Sequence, residues 1–288
     1  AGLEGLIAAK LLGRPIIGTN HTRIKEFFKA GYFDSPRLGE IFTRYMNWYY
    51  NQCDYVTAPS RSFLDEMRKN CLTAPARSIS NPVDMRVFNH LKITNRQAIR
   101  KKYNLSDYAV VYAGRLAYEK NIDIIIRAMK IVKEDFPEIS LALAGHGQAL
   151  DSLKKLVVEL GLEKNVRFLG TLNHHELADL YRSADVFAMA STSEVQSLVV
   201  IQSLACGLPV VGVNYNSIPE LVRPENGLLF AAGNYKDLAK QTIKLLFDAG
   251  LRKKLSQGAI DFTPRFSADN IAKEWAELYK EVIESRNK

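Results

Sequence analysis

Short apolar runs alternate with amphipathic stretches over residues 108–230. The runs YAVVYAG, ISLALAG, VRFLG, DVFAMA and LPVVGV have the length of strands, and segments with the apolar spacing of helices separate them. Strands with no polar alternation are buried on both faces, which is typical of a parallel sheet covered by helices. The pattern therefore predicts an α/β fold whose ligands bind beyond the carboxyl ends of the strands.

The flanking segments predict a division of the chain. RPIIGTN and CDYVTAPS are the clear strands of residues 1–82, too few for an independent doubly wound domain. We expect 1–82 to be the C-terminal part of an N-terminal Rossmann-like lobe, and 83–265 to be a second Rossmann-like lobe. Residues 266–288 form a helix opened by Ser267, with an apolar stripe at Ile271, Trp275, Leu278 and Val282 that we expect to pack back toward the first lobe.

Composition narrows the classes of function. The chain has 288 residues, 47% of them hydrophobic, and no apolar run of the length that spans a membrane, so a cytoplasmic location is the default expectation. Three widely spaced cysteines favour neither a disulfide framework nor a metal site. The net charge of +8 suits an anionic partner, but no nucleic-acid-binding motif accompanies it, so nucleic acid is not expected.

One stretch, STSEVQSLVVIQSLACGLPVVGV at 191–213, combines an acid with the start of an apolar helix. The helix is predicted to begin near Ser197 and to end at Cys206, before Gly207. Glu194 then lies just ahead of the helix, whose first amides (Gln196, Ser197 and Leu198) would face a bound anion such as a phosphate.

Within the same helix, Gln202 is a lone amide among apolar residues. A buried amide needs hydrogen-bond partners. Either hydroxyls of a ligand or neighbouring main-chain groups can supply them, and the sequence leaves both open.

Two other predicted strands end in glycine-containing turns. YAGRLAYEKN places Gly114, Arg115 and Lys120 in one turn, where the two cations either grip a diphosphate or lie in solvent. LAGHG contributes Gly145 and Gly147, which permit close approach of a ligand to the main chain, although a lone GxG is a weak signal.

Three further residues are weaker candidates. Arg167 and Phe168 of VRFLG either flank a planar base or, for Phe168, pack in the core. His21 follows a strand, where a lone histidine is more often structural than catalytic.

Residues 21–50 hold 9 of the 28 aromatic residues of the chain, with Arg23, Lys25, Lys29, Arg37 and Arg44 among them. This mixture suits a surface that faces anionic lipid, and equally suits amphipathic helices that cover a lobe.

In order, GTNHT, VTAPS, SNPVD, YAGRLAYEKN, LAGHG, VRFLG and SEVQSLVVIQSLACGLPVVGV resemble the motif series of retaining family 4 glycosyltransferases. The resemblance implies a GT-B fold of two Rossmann-like lobes with parallel sheets, with the N-terminal lobe incomplete here. It implies a nucleoside-diphosphate-sugar donor, UDP- or GDP-linked, a hydroxyl acceptor that is a lipid or a saccharide, and no cofactor or metal. The wording SEVQSLV and the aromatic segment are most similar to the diacylglycerol glycosyltransferase branch, peripheral at the inner membrane face.

The resemblance also implies roles for individual residues. Arg115 and Lys120 match the pair that grips the diphosphate, Glu194 matches the acid that contacts the transferred sugar, and His21 matches a histidine facing that sugar. Two departures stand out, because Gln202 replaces the family's ribose-binding glutamate and Ser197 replaces a glycine.

The expected function is therefore a metal-independent hexosyltransferase that retains the anomeric configuration. Two alternatives stay open: a catalytically idle or partner-dependent nucleotide-sugar-binding subunit, and a sugar-nucleotide epimerase on the same fold.

Overall fold

The computed structural model describes residues 2–23, 36–92 and 95–286. These form two compact units, one of residues 1–82 with 268–288 and one of residues 83–267. The second unit begins and ends in neighbouring segments, because the amide of Val83 donates to the carbonyl of Phe266 at 2.8 Å.

The first unit contains a sheet of three parallel strands in the order β1-β2-β3. Its elements up to residue 82 are α1 Gly2–Leu11, β1 Ile17–Thr19, α2 Pro36–Tyr50, β2 Tyr55–Ala58, α3 Arg61–Lys69 and β3 Ala76–Ser78. Ser60 begins α3 by accepting the amide of Phe63, and the apolar face of that helix (Phe63, Leu64 and Met67) is buried.

The second unit is a doubly wound α/β domain. Its elements are α4 Arg96–Lys102, β4 Ala109–Ala113, α5 Ile122–Asp135, β5 Ser140–Ala144, α6 Leu150–Glu159, β6 Val166–Gly170, α7 His174–Ser183, β7 Val186–Met189, α8 Leu198–Ala205, β8 Val210–Val213, α9 Ile218–Leu221, β9 Gly227–Phe230, α10 Tyr235–Phe247 and α11 Ala249–Phe262. Every residue of β4, β5, β7 and β8 is buried, because helices cover both faces of the sheet. The predicted α/β fold with parallel strands is thus confirmed.

The order of the strands determines where a ligand crevice forms. The six parallel strands lie in the order β6-β5-β4-β7-β8-β9. From β4 the chain adds β5 and β6 on one side, and it then crosses to the other side of β4, where it adds β7, β8 and β9. In such sheets the loops at the point of reversal diverge and leave a crevice at the carboxyl ends of the strands. Here that point lies between β4 and β7.

The last helix, α12 Ala268–Arg286, belongs to the first unit. Ile271, Leu278 and Val282 pack with Ile79 in a small apolar cluster. Arg77 fixes the helix further, since its guanidinium donates to the carboxylate of Glu281 at 3.1 Å and 3.2 Å and to the carbonyl of Glu274 at 3.0 Å. Among the described residues, no helix combines the length and the apolar character that crossing a bilayer requires.

Candidate active site at the switch point

Lys120 and Glu194 meet at the switch point. Lys120 follows β4 and Glu194 follows β7, and the Lys120 Nζ lies 2.7 Å from Oε1 of Glu194. Both side chains are largely buried, 18% and 15% exposed. The ammonium also lies 3.3 Å from Oγ of Ser193. Two residues that are 74 positions apart in the chain thus form one charged centre in the crevice.

Polar side chains from both neighbouring loops hold the segment before α8. Asn121, which ends the turn that carries Lys120 with a φ of 51°, donates to Oγ1 of Thr192 at 3.2 Å. From beyond β8, Asn216 donates to the carbonyl of Thr192 at 2.6 Å, and Ser217 donates to the carbonyl of Glu194 at 3.1 Å. The position of Glu194 is therefore set by three strand-end loops.

The helix that follows Glu194 begins where the sequence predicted. Ser197 is the N-cap of α8, Cys206 is its C-cap, and Gly207 has a φ of 75°. Ser197 makes no capping hydrogen bond, and its buried Oγ has no partner among the described residues. The positive end of the α8 dipole thus lies in the crevice next to Lys120.

Gln202 presents a second unsatisfied atom. Its Oε1 is buried and has no hydrogen-bond partner within the described part of the chain. The sequence left open whether main-chain groups or a ligand would bond to this amide. Among the described residues, no main-chain donor reaches its oxygen. A buried acceptor without a partner costs free energy, and a hydroxyl from a ligand would remove that cost.

Arg115 lies on the outer side of the same turn and is 57% exposed. It lies 2.5 Å from Oε1 of Glu119, whose other oxygen is buried without a partner in the described residues. The carbonyl of Arg115 accepts from the hydroxyl of Tyr112 at 3.2 Å, and burial raises the pKa of that hydroxyl, which therefore stays protonated. Sequence reasoning missed Glu119, although its place four residues after Arg115 is the spacing of an ion pair on a helical turn.

The glycines of this edge serve contacts between loops. A Cβ on Gly145 would lie 1.9 Å from the carbonyl oxygen of Gly114, and one on Gly147 would lie 2.3 Å from that of Leu116. Gly114 and Gly145 also have φ angles of 140° and 141°, which favour glycine. The neighbouring loop thus requires glycine at both positions, and the approach of a ligand to their main chain stays a prediction.

Arg167 and Phe168 do not join the site. Arg167 lies near the amino end of β6, and its guanidinium donates to main-chain carbonyls, among them those of Asn104 at 3.1 Å and Lys164 at 2.8 Å. Phe168 packs against the core. The expectation that they flank a base is wrong, because the strand runs from Arg167 toward the carboxyl edge and the arginine remains at the opposite one.

His21 belongs to the first unit, where it follows β1. Its side chain is exposed on one side, and the protein atoms that surround the other side lower the pKa of its imidazole. At pH 7 this favours the neutral form, which can accept a hydrogen bond.

The aromatic and basic segment is described in part. Arg23 is buried, donates to the carboxylate of Glu66 at 2.8 Å and lies over the ring of Phe63, so it does not contribute to a lipid-facing surface, one of the two interpretations left open for this segment. Lys25 and Lys29 lie outside the described residues. The helix α2 exposes an apolar face, between 42% and 61% exposed at Leu38, Ile41, Phe42, Tyr45 and Trp48.

Comparison with known proteins determines the family. The model of glycosyl transferases group 1 matches residues 95–262, and the model of glycosyltransferase family 4 matches residues 1–87. The chain belongs to the group 1 glycosyltransferases. The family match covers the second unit almost completely and includes Lys120, Glu194 and Gln202.

Two curated relatives cover most of the chain. The chain is 31% identical over 242 residues to an uncharacterized glycosyltransferase of Methanocaldococcus jannaschii, which covers 82% of the chain and 62% of that protein. It is 28% identical to the alpha-monoglucosyldiacylglycerol synthase of Streptococcus pneumoniae, over 99% of the chain and 65% of the synthase. The chain thus spans less than two thirds of the length of these curated relatives.

The solved structure of Anabaena HepE in complex with UDP and glucose shares the fold. Its TM-score is 0.84 at 23% identity, over 97% of this chain and 75% of HepE. The architecture is that of GT-B glycosyltransferases, as the motif series predicted.

Proposed function

We propose that the protein transfers a hexose from a UDP-sugar to a hydroxyl acceptor, with retention of the anomeric configuration. The observation that carries this proposal is the largely buried pair of Lys120 and Glu194, which lies beside the N-terminus of α8 at the switch point. The choice of UDP rests on HepE, whose structures contain UDP and UDP-glucose.

The diphosphate accumulates negative charge as the bond from sugar to phosphate breaks. In our proposal Lys120 and the dipole of α8 stabilise that charge, since both are already in place and need no reorganisation. Arg115, which is 57% exposed, exchanges its contact with Glu119 for a phosphate oxygen.

Glu194 is proposed to accept hydrogen bonds from hydroxyls of the sugar. Because its carboxylate is already held by Lys120, it is poorly placed to form a covalent glycosyl intermediate. Retention then follows if the acceptor oxygen attacks the face that the phosphate leaves, and a phosphate oxygen accepts the proton of the acceptor hydroxyl. The assignment of His21 to the donor sugar remains a prediction from the motif.

The acceptor is proposed to be a diacylglycerol-type glycolipid precursor at an anionic membrane surface. The exposed apolar face of α2 supports this, with Arg37 and Arg44 on the same helix, as does the similarity to monoglucosyldiacylglycerol synthases. Flotation with vesicles that contain phosphatidylglycerol tests it. Trp48→Ser should reduce the bound fraction, whereas Tyr279→Ser, at an equally exposed aromatic residue of α12, should leave it unchanged.

A second candidate, an idle nucleotide-sugar-binding subunit, is favoured by one observation. Gln202 and Ser197 both depart from the family motif, and both carry a buried polar atom without a partner in the described residues. Such a subunit would bind UDP without any transfer.

Incubation of the protein with UDP-glucose and a diacylglycerol acceptor separates these functions. We expect a glycolipid product of retained configuration by NMR, abolished in Glu194→Ala but kept in Glu176→Ala, which alters the surface partner of Lys102. Transfer at the wild-type rate by Glu194→Ala would contradict the assignment. Binding without product would favour the idle subunit, and a changed sugar without acceptor would favour the epimerase.

A further inference from the structure

A second cleft opens on the opposite edge of the sheet in the second unit. It has a volume of about 590 Å³ and lies between the loop from α7 to β7, the loop from α8 to β8 and the first turns of α11. Loops that enter parallel strands lie at the amino-terminal edge, whereas Lys120 and Glu194 lie at the carboxyl edge. The cleft is therefore separate from the proposed donor site.

The lining of this cleft is strongly basic. Among the described residues that line it, Asp185 is the one carboxylate, and Arg96 and Arg100 already bind both oxygens of that group, at 2.5 Å and 2.8 Å. The basic side chains that line it are His90, Lys92, Arg96, Arg182, Arg252 and Lys253.

Two of these cations are held in place by other groups. Arg182 has a buried side chain, pairs with Asp179 at 2.8 Å and donates to the carbonyl of Asn89 at 3.0 Å, so its charge is already compensated. Arg252 donates through one terminal nitrogen to the carbonyl of Leu245 at 2.6 Å and has no carboxylate partner in the described part of the chain. A guanidinium fixed in this way loses little conformational entropy when it binds an anion.

Lys253 and Lys92 complete the positive lining. Both are exposed, and neither makes an ion pair within the described ranges of the chain. Exposed ammonium groups beside a fixed guanidinium group suit phosphate, because its several oxygens accept from more than one donor.

We infer that this cleft binds a phosphate-bearing anion, either a free phosphorylated compound or a lipid phosphate headgroup. The inference does not depend on the proposed transferase activity, because no residue of the cleft belongs to the donor site. Substitution of Lys253, which makes no ion pair with the described residues, tests the inference most directly.

Calorimetric titration of the protein with inorganic tripolyphosphate, in the presence of saturating UDP, is the experiment. Lys253→Glu should weaken binding about tenfold or more, the effect of losing a charged hydrogen bond. Lys254→Glu is the matched control, since it makes the same change at the next, exposed residue, which does not line the cleft, and should stay within about twofold.

A parallel titration with phosphatidylglycerol vesicles, against pure phosphatidylcholine vesicles, distinguishes the two sources. Binding of tripolyphosphate that responds to Lys253→Glu supports a free ligand, and a response confined to the vesicles supports a headgroup. The inference is overturned if neither probe binds the wild type, or if both variants weaken binding equally. Circular dichroism should show both variants folded, because both lysines are exposed.

Discussion

Glu194 and Asp185 are both largely buried carboxylates in the second unit, each in contact with a cation, and they differ in what surrounds them. Asp185 is 8% exposed, and its oxygens accept from Arg96, from Arg100 and from the amide of Ala109 at 2.8 Å. Arg100 in turn donates to the carbonyls of Ser183, Ser106 and Asp107. Every group in this network has a partner, as expected of a structural ion pair.

Around Glu194 the surroundings are incomplete. Glu119, Ser197 and Gln202 each have one buried oxygen without a partner among the residues described, and all three flank or follow the strands β4 and β7 of the same crevice. The ion pair of Asp185 is therefore interpreted as structural and that of Glu194 as part of a binding site. The oxygens of Asp185 are satisfied by donors of the protein, whereas the buried oxygens around Glu194 have no partner among the described residues and are available to a ligand.

The largest effect should come from breaking the structural pair. Asp185→Asn leaves Arg100, whose side chain is 11% exposed, without its counter-charge, and should lower the free energy of unfolding by about 3–5 kcal/mol. Denaturant unfolding measures this. As a control, Asp84→Asn removes the partner of Arg86, which is 91% exposed, and should leave the unfolding curve nearly unchanged. Equal losses would remove the distinction between buried and surface pairs.

Glu194→Gln should show the reverse pattern, with a large effect on the affinity for ligand and a small effect on the free energy of unfolding. We expect the free energy of unfolding to fall by less than in Asp185→Asn, because Lys120 is more exposed than Arg100, at 18% against 11%, and the bond from Ser217 to the main-chain carbonyl of residue 194 is unchanged. The affinity for UDP-glucose should fall about tenfold through the lost charged contact with the sugar, while that for UDP is kept. Calorimetry with both ligands measures this, and Glu176→Gln is the control at the surface pair with Lys102. An equal loss for UDP and UDP-glucose would show that Glu194 does not act on the sugar.

Gln202→Glu tests whether the unsatisfied side chain of residue 202 contacts the ribose of the donor. A carboxylate here can accept charge-assisted hydrogen bonds from a ribose diol, so UDP affinity should rise by about threefold to tenfold. The gain should vanish with 2′,3′-dideoxy-UDP. Gln196→Glu, the same change six residues earlier at the start of α8, should weaken UDP binding because it adds negative charge near the phosphates. If both variants respond alike, Gln202 does not face the ribose.

Glu119→Gln should have the smallest effect. Arg115 is 57% exposed, so loss of its partner changes the free energy of unfolding by less than about 1 kcal/mol. UDP binding should tighten by about twofold, since the arginine no longer has to leave a carboxylate. Competitive titration resolves such a change, and a clear weakening would instead assign Glu119 to positioning Arg115.

Much of the second unit was predictable from the sequence because its strands are continuous apolar runs and its helices have clear ends. Ser197 and Gly207 defined the limits of α8 closely, since the residues that begin and end a helix act locally. The pairing of Lys120 with Glu194 was not derivable from local patterns, because it depends on which strands are neighbours in the sheet.

Arg167 was assigned to the wrong edge, although VRFLG as a strand already places it near the amino end, opposite the carboxyl edge where ligands bind. Other features were not derivable from the sequence. The chain does not reveal that the loop of Gly114 and Leu116 lies against Gly145 and Gly147. That packing depends on long-range contacts, as does the burial of Arg23 against Glu66.

The central claim is that the crevice between β4 and β7 binds a nucleoside diphosphate through Lys120. Calorimetric titration of UDP into the wild type, Lys120→Ala and Lys102→Ala tests it most directly, since Lys102 forms a comparable pair with Glu176, at 3.0 Å, on the surface. We predict that Lys120→Ala weakens UDP binding by about tenfold to a hundredfold and that Lys102→Ala leaves it unchanged. Equal affinity in all three proteins, or no binding to the wild type, would contradict the account.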